Sequence, residues 1–279
     1  MTRQETDLFT VEHSIHDGIE RVTVTPRNHR HETPILMQHG MWHGAWCWRQ
    51  WQELFAEWGW ESHALSLPGH SGSPAQRPVW FCTLDYYLRF LKAEVERLPR
   101  KPILMGHSMG GALAQWYFKY VGDSLPAAVL VAPWASHNTI AGMGRWWRLD
   151  PAGMLMASLT ASTRPFIRTA KHAAEKLISP RSIYSPEELL ARLSPESFWV
   201  MLQHNPPFWH PAEKVKMPLL WLAGEKDAVV TVEHERQSAA HYKADFMVIP
   251  DSAHNVMMEY NYRETAELIH HWLEKRGIN

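Results

Sequence analysis

The 279-residue chain is poor in cysteine, with only Cys47 and Cys82. Two thiols cannot build a disulfide framework, and in a chain of this length they are expected to be buried and free. An excess of charge is equally lacking: 28 Lys and Arg stand against 29 Asp and Glu, a formal net charge of −1, and neither sign forms a run of five or six. Without a basic stripe, a nucleic-acid partner is not expected. No apolar stretch approaches the eighteen residues that a spanning helix needs, and the opening MTRQETDLFT mixes both charges without an apolar h-region. No integral membrane segment is therefore expected, and the expected location is cytoplasmic. HExxH, CxxC and GxGxxG are all missing. The close pairs His13/His16, His29/His31 and His270/His271 come without a matching acidic or thiolate set and are expected to face solvent. Neither a metal nor a cofactor is expected.

What the chain does have is an ordinary globular composition, 45% apolar and 20% charged, in a length that buries a sizeable core. Short apolar runs bounded by Gly, Pro or charge predict buried strands at 34–38, 63–67, 102–105, 127–132, 218–223 and 244–249. Between them lie helical patterns: Trp48, Trp51, Phe55 and Trp58 at three- and four-residue steps, then 83–98, 111–120, 232–241 and 263–272. Residues 9–25 read as an opening hairpin. Strand alternating with helix predicts an α/β chain with a mostly parallel central sheet and helices on both faces.

The alternation stops between Trp134 and about Ala212, a stretch rich in Trp, Met and Pro. Ser185-Pro186-Glu187-Glu188 and Ser194-Pro195-Glu196-Ser197 each read as a helix start, with Ser as N-cap and Pro at the first helical position. The expectation is a core built from 1–133 and 213–279, with 134–212 inserted as a helical cap or lid. Trp134, Trp146, Trp147, Trp199 and Trp209 belong to that insertion and are expected to line a pocket or an exposed lid edge.

The strongest chemical signal is Gly106-His107-Ser108-Met109-Gly110, placed where one strand pattern ends and a helical pattern begins. A sharp strand-to-helix turn strains the serine backbone and pushes its hydroxyl out above the sheet, and glycines two residues to either side avoid collision. A serine hydroxyl needs a base, itself held by a carboxylate. His254 follows the last predicted strand and Asp227 the one before it, giving the order Ser, Asp, His. Glu225 and Asp251 are neighbours of the same chemistry, and solvated turn residues is their plainer reading. The turn after Ala132 offers no carboxylate, which favours Asp227. An attacked carbonyl also needs two N–H groups for its oxyanion. Met109, at the start of its helix, supplies one by position, and Met41 in His39-Gly40-Met41-Trp42 the other.

The segments LMQHGMWHGAW, LPGHSGS, GHSMGG, LAGEKD and DSAHNVMME together resemble the serine α/β-hydrolase fold family, from about residue 33 to 260. HGMWHGAWCW is also similar to the plant methylesterase and hydroxynitrile lyase branch. The resemblance implies the α/β-hydrolase fold, a triad of Ser108, Asp227 and His254, and an oxyanion hole from Met41 and Met109. Gly40, Trp42 and Trp134 are the expected pocket residues. In the lyases a threonine stands at the place of Gly40 and a lysine follows the histidine, whereas Asn255 follows His254 here. Ester hydrolysis of a small-to-medium apolar or aromatic substrate, through an acyl-enzyme on Ser108, is the favoured expectation, since no Arg or Lys cluster lies near the motifs. A small-molecule receptor with slow or no turnover, and C–C hydrolysis or cofactor-free oxygenation on the same fold, stay open.

Overall fold

A computed structural model of the chain describes residues 1–137 and 139–279, the side chains of residues 139–141 and 143 excepted. Among the described residues nine strands form one sheet: β1 (Thr2–Glu5), β2 (Phe9–His16), β3 (Ile19–Pro26), β4 (Ile35–Gln38), β5 (Ser62–Ser66), β6 (Ile103–His107), β7 (Ala128–Val131), β8 (Leu219–Gly224) and β9 (Asp245–Ile249). Their order in space is 1-2-3-5-4-6-7-8-9. Strands β1 to β3 form an antiparallel edge that joins β5, and β5, β4, β6, β7, β8 and β9 run parallel. Every residue of β4, β6, β7 and β8 is buried, as continuous apolar runs covered on both faces should be. Strand β1, by contrast, is the polar and wholly exposed TRQE, an edge that the apolar pattern does not announce.

Ten α-helices are described: α1 (Arg49–Glu57), α2 (Leu84–Arg97), α3 (Met109–Tyr120), α4 (Thr139–Leu149), α5 (Pro151–Thr160), α6 (Ala170–Leu177), α7 (Pro186–Arg192), α8 (Trp199–Gln203), α9 (Val232–Tyr242) and α10 (Tyr262–Lys275). Helices cover both faces of the sheet, α1 packing against α10 and α2 against α3. The buried stripe of α1 is Trp51, Leu54 and Phe55, at three- and four-residue spacing. Trp48 lies in the 3₁₀ turn before α1 and is also fully buried, whereas Trp58 is half-buried and stacks on His270 with ring centroids 4.9 Å apart. Cys47 and Cys82 are buried free thiols. No helix among the described residues is long and apolar enough to cross a membrane.

The connection from β7 to β8 carries α4 to α8 and, among its described residues, no strand beyond an isolated bridge between Ser162 and Ser197. Helix α7 begins as expected, with a reciprocal capping box between Ser185 and Glu188. The second expected helix start does not form. Ser194 instead ties two loops together: its N–H donates to Trp42 O (2.7 Å) and its Oγ accepts from Ser71 N–H (3.0 Å). Glu196 is fully buried, accepts from Tyr87 O–H (2.9 Å) and lies 3.1 Å from His70 Nε2. A buried carboxylate that needs these partners cannot sit in the exposed first turn of a helix. Trp209 is buried parallel to Trp116 (5.5 Å), whereas Trp147 and Trp199 are about half exposed.

Candidate active site

Strand β6 ends at His107 and α3 begins at Met109, so Ser108 alone makes the turn. Its φ and ψ are 51° and −117°, a left-handed backbone that a non-glycine residue keeps only when its surroundings enforce it. Here they do: Ser108 N–H donates to Val131 O (3.1 Å), and Ser108 O accepts from Ala112 N–H (3.0 Å) and Trp134 N–H (3.3 Å). The flanking glycines answer to close backbone approach. A Cβ on Gly110 would lie 2.2 Å from Gln38 O, and one on Gly106 2.5 Å from Gly110 O.

The loops after β8 and β9 bring the other two groups to Ser108. His254 Nδ1 lies 2.7 Å from Asp227 Oδ2, and His254 Nε2 lies 2.8 Å from Ser108 Oγ. A carboxylate only accepts, so Nδ1 carries the proton and Nε2 is left to accept from the serine hydroxyl. Asp227 is itself fixed: its Oδ1 accepts from the N–H groups of Val229 (2.6 Å) and Val230 (3.0 Å). All three side chains are buried. Glu225 serves elsewhere, its exposed carboxylate accepting from Asp251 N–H (2.9 Å), and Asp251 lies exposed on that turn.

The loop after β4 is held by buried histidines. His39 Nδ1–H donates to Gly40 O (2.7 Å), while its Nε2 accepts from Leu67 N–H (3.0 Å). In a planar trans peptide the N–H points opposite the C=O, so holding the Gly40 carbonyl fixes the direction of Met41 N–H. Among the described residues neither Met41 N–H nor Met109 N–H has a protein acceptor. His43 Nδ1–H donates to Met41 O (2.7 Å) and its Nε2 accepts from Asn255 Nδ2–H (3.0 Å). Burial pushes the His43 imidazole down to about 4, so it stays neutral. His107 Nε2–H donates to His254 O (3.1 Å), tying the Ser108 turn to the backbone of the His254 loop. Burial also holds His107 well below the usual imidazole range. The contacts of His39 with Leu67, His43 with Asn255 and His107 with His254 join loops distant in the chain and leave no periodic mark in sequence. The one available signal was the dipeptide His39-Gly40 itself.

One cavity opens over Ser108, and a second adjoins it at Met41 and Val229. The smaller, about 210 Å³ with its open mouth included, is lined by Met41, Trp42, His43, Ser108, Leu177 and His254 among others. The larger is a cleft of about 580 Å³, its open mouth included, with Met41 and Val229 common to both. Trp42 thus lies at the smaller cavity and Trp134 at the larger, whereas Gly40 lines neither and backs the serine. A Cβ on Gly40 would stand 2.8 Å from Ser108 Cβ and 2.9 Å from His107 Nδ1. The cleft also receives Arg145, so the lack of an Arg or Lys cluster near the motifs does not leave the cleft without a cation.

One group of potential metal ligands is present among the described residues, His31, His270 and Glu274, with ligand atoms within 4.8 Å of one another. His31 and His270 are half-buried, packed on Trp60 and Trp58, and do not face solvent as expected. Trp60 Nε1–H donates to His270 Nδ1 (3.1 Å), which leaves the proton on the Nε2 that would face an ion. The donor set does not fit a metal.

A parallel sheet with a serine at a strained strand-to-helix turn and a histidine and an aspartate beyond later strands defines the α/β-hydrolase class. The chain belongs to the alpha/beta hydrolase family, whose family model matches residues 35–268. Among curated proteins it is 23% identical over 227 residues to a pyrethroid hydrolase of Sphingobium wenxiniae, covering 78% of this chain and 79% of that one. It is 33% identical over 100 residues to the pFDCC methylesterase MES16 of Arabidopsis thaliana, covering 35% and 38% of the two chains. Among solved structures, the monoacylglycerol lipase of Paleococcus ferrophilus shares the fold, with a TM-score of 0.66 at 19% identity over 92% of this chain and 99% of the other.

Proposed function

We propose that the protein is a carboxylesterase acting through an acyl-enzyme on Ser108. The observation that carries this reading is the unbroken line from Ser108 Oγ to His254 Nε2 and from His254 Nδ1 to Asp227 Oδ2, at 2.8 and 2.7 Å. Ser108 Oγ attacks the ester carbonyl while its proton passes to His254 Nε2, and Asp227 stabilises the imidazolium that results. The tetrahedral oxyanion accepts from Met41 N–H and Met109 N–H. Collapse breaks the bond to the alcohol, which leaves with the proton from His254. A water then gives a proton to His254 and attacks the acyl carbon, and the acid departs as Ser108 regains its proton. Because the base must start unprotonated, activity rises with pH.

Residues 134–212 act as the cap over a core of 1–133 and 213–279. The apolar walls of the cleft suit a small-to-medium, largely apolar or aromatic ester, in keeping with relatives that include a hydrolase and a methylesterase by name. Ser108→Ala tests the reading: turnover of short 4-nitrophenyl esters should fall by at least ~10³-fold. Near-normal turnover in the purified variant would remove Ser108 from the chemistry. Ligand-induced thermal stabilisation without any turnover by the unaltered protein would mark a receptor.

A further inference from the structure

The larger cleft is not uniformly apolar. Met41, Trp134, Trp146, Met201, Val229 and Val230 form most of its wall, and Arg145, His204, Asn205 and His234 interrupt them. His204 is fully occupied: its Nε2–H donates to Ala135 O (3.1 Å), its Nδ1 accepts from Trp116 Nε1–H (3.1 Å), and burial pushes it down to about 3. Arg145 is different. Its Nε–H donates to Ala228 O (2.9 Å), beside Asp227, and among the described residues no acceptor meets its two terminal nitrogens. No carboxylate is among the described residues that line the cleft. A half-buried guanidinium in an apolar wall is therefore left with a pair of parallel donors and no carboxylate among the residues that line the cleft.

Its position is fixed as well. The bond to Ala228 holds one edge of the guanidinium against the loop that carries Asp227. Helix α4, which carries Arg145, is pinned just past its end. Asp150 accepts from Gly153 N–H (2.8 Å) and pairs with Arg168 (2.7 Å) and Lys176 (3.4 Å), while Trp146 packs on Phe166 with ring centroids 4.6 Å apart. A donor pair held in place, with no carboxylate lining its cleft, and facing a cleft that joins the Ser108 cavity at Met41 and Val229, is suited to one ligand group above others: a carboxylate, which takes both terminal nitrogens end-on.

Resting on the esterase reading, we propose that Arg145 is a specificity-determining residue and that the substrate is an ester with an apolar body and a free carboxylate at its far end. The guanidinium binds that carboxylate while the ester carbonyl sits at Ser108.

Two matched pairs of esters test this, one for each half of the substrate. Monomethyl suberate against dimethyl suberate places the charge on the acyl side, read as methanol released. The acetate ester of 8-hydroxyoctanoate against that of its methyl ester places it on the alcohol side, read as acetate released. In at least one pair the acid should be preferred in kcat/KM by about tenfold or more, as one charge-assisted bidentate contact allows. Arg145→Met should lower that acid-to-neutral ratio by at least the same factor, and Arg145→Lys should restore part of it. Turnover with no preference for the acid in either pair, or a preference that survives Arg145→Met, overturns the inference and leaves the esterase reading standing. Calorimetric binding to Ser108→Ala separates the two readings in the other direction. Tight binding of one of the two acids that is lost in Ser108→Ala/Arg145→Met upholds the carboxylate site even if no ester is turned over. Equal binding of acid and neutral forms without turnover sinks both.

Discussion

The strand-end loops of the core and the helical connection between β7 and β8 are built on different principles. In the loops, Ser108, Asp227 and His254 are each at most 8% exposed, and each is held by bonds to backbone or to one another. Nothing in that arrangement depends on what fills the cleft. The connection is looser in its relation to solvent: α5, PAGMLMASLT, carries no charged side chain, and Leu155 and Leu159 on it are 54% and 78% exposed. Its inner surface nevertheless supplies Trp134, Arg145, Trp146 and Met201 to the cleft. Buried polar contacts join it to the core, among them Trp42 Nε1–H donating to Thr163 Oγ1 (2.7 Å) and the placement of Glu196 between His70 and Tyr87. In the proposed reaction the core loops would set the chemistry, and the connection would set which molecule reaches it.

This division is sharpened most by changes in the loops. Asp227→Asn keeps the shape but offers an amide where His254 Nδ1–H needs an acceptor, so the imidazole is no longer held in the useful tautomer. Turnover should drop by about 10⁴-fold, and by the same factor for every ester tried. A loss confined to one ester would break the division, because it would place selection in the loops. Gly40→Thr is the next largest. Its Cβ must clear Ser108 Cβ at 2.8 Å and His107 O at 3.2 Å, and neither neighbour is the end of a flexible side chain. The serine is pushed off line, lowering kcat by about 10²-fold, with a stability loss of about 1–3 kcal/mol in denaturant titration. Unchanged kcat would show that the turn yields without cost.

The smallest effect lies outside both regions. Glu235 on α9 is fully buried, and neither carboxyl oxygen has a hydrogen-bond partner among the described residues. Burial, reinforced by the charge of Asp227, pushes its carboxyl well above the usual range, so it is held neutral. A folded-state value above the unfolded one contributes stability that is whole below the unfolded value and lost as pH rises. Glu235→Gln should therefore raise the unfolding temperature at pH 8 by about 3 °C or more, with the gain fading below about pH 4.5 in scanning calorimetry. The same gain at both ends of that range would contradict a titrating cause.

Much of the core is legible in sequence because its signals are local. Buried parallel strands such as Leu219–Gly224 read as short apolar runs, and the turn at Ser108 is written in five consecutive residues. The loop residues Asp227 and His254 follow from their place after strands. What escapes is set by partners distant in the chain. Strand β1 is polar because it is an exposed edge, and it leaves no apolar trace. Ser194-Pro195-Glu196 has the composition of a helix start, but the burial of Glu196 against His70 and Tyr87 overrides it. Arg145 lies far from the motifs in sequence, and its bond to Ala228 O in the loop after β8 brings it to the cleft.

Intact-mass analysis after treatment with an alkyl fluorophosphonate tests the central claim most directly, since it reads the activated hydroxyl itself and needs no knowledge of the natural ester. One phosphonyl group per chain should be added, peptide mapping should place it on Ser108, and the adduct should vanish in Ser108→Ala and form far more slowly in Asp227→Asn. A chain that stays unlabelled while it still turns over esters, or a label on another residue, would contradict the account.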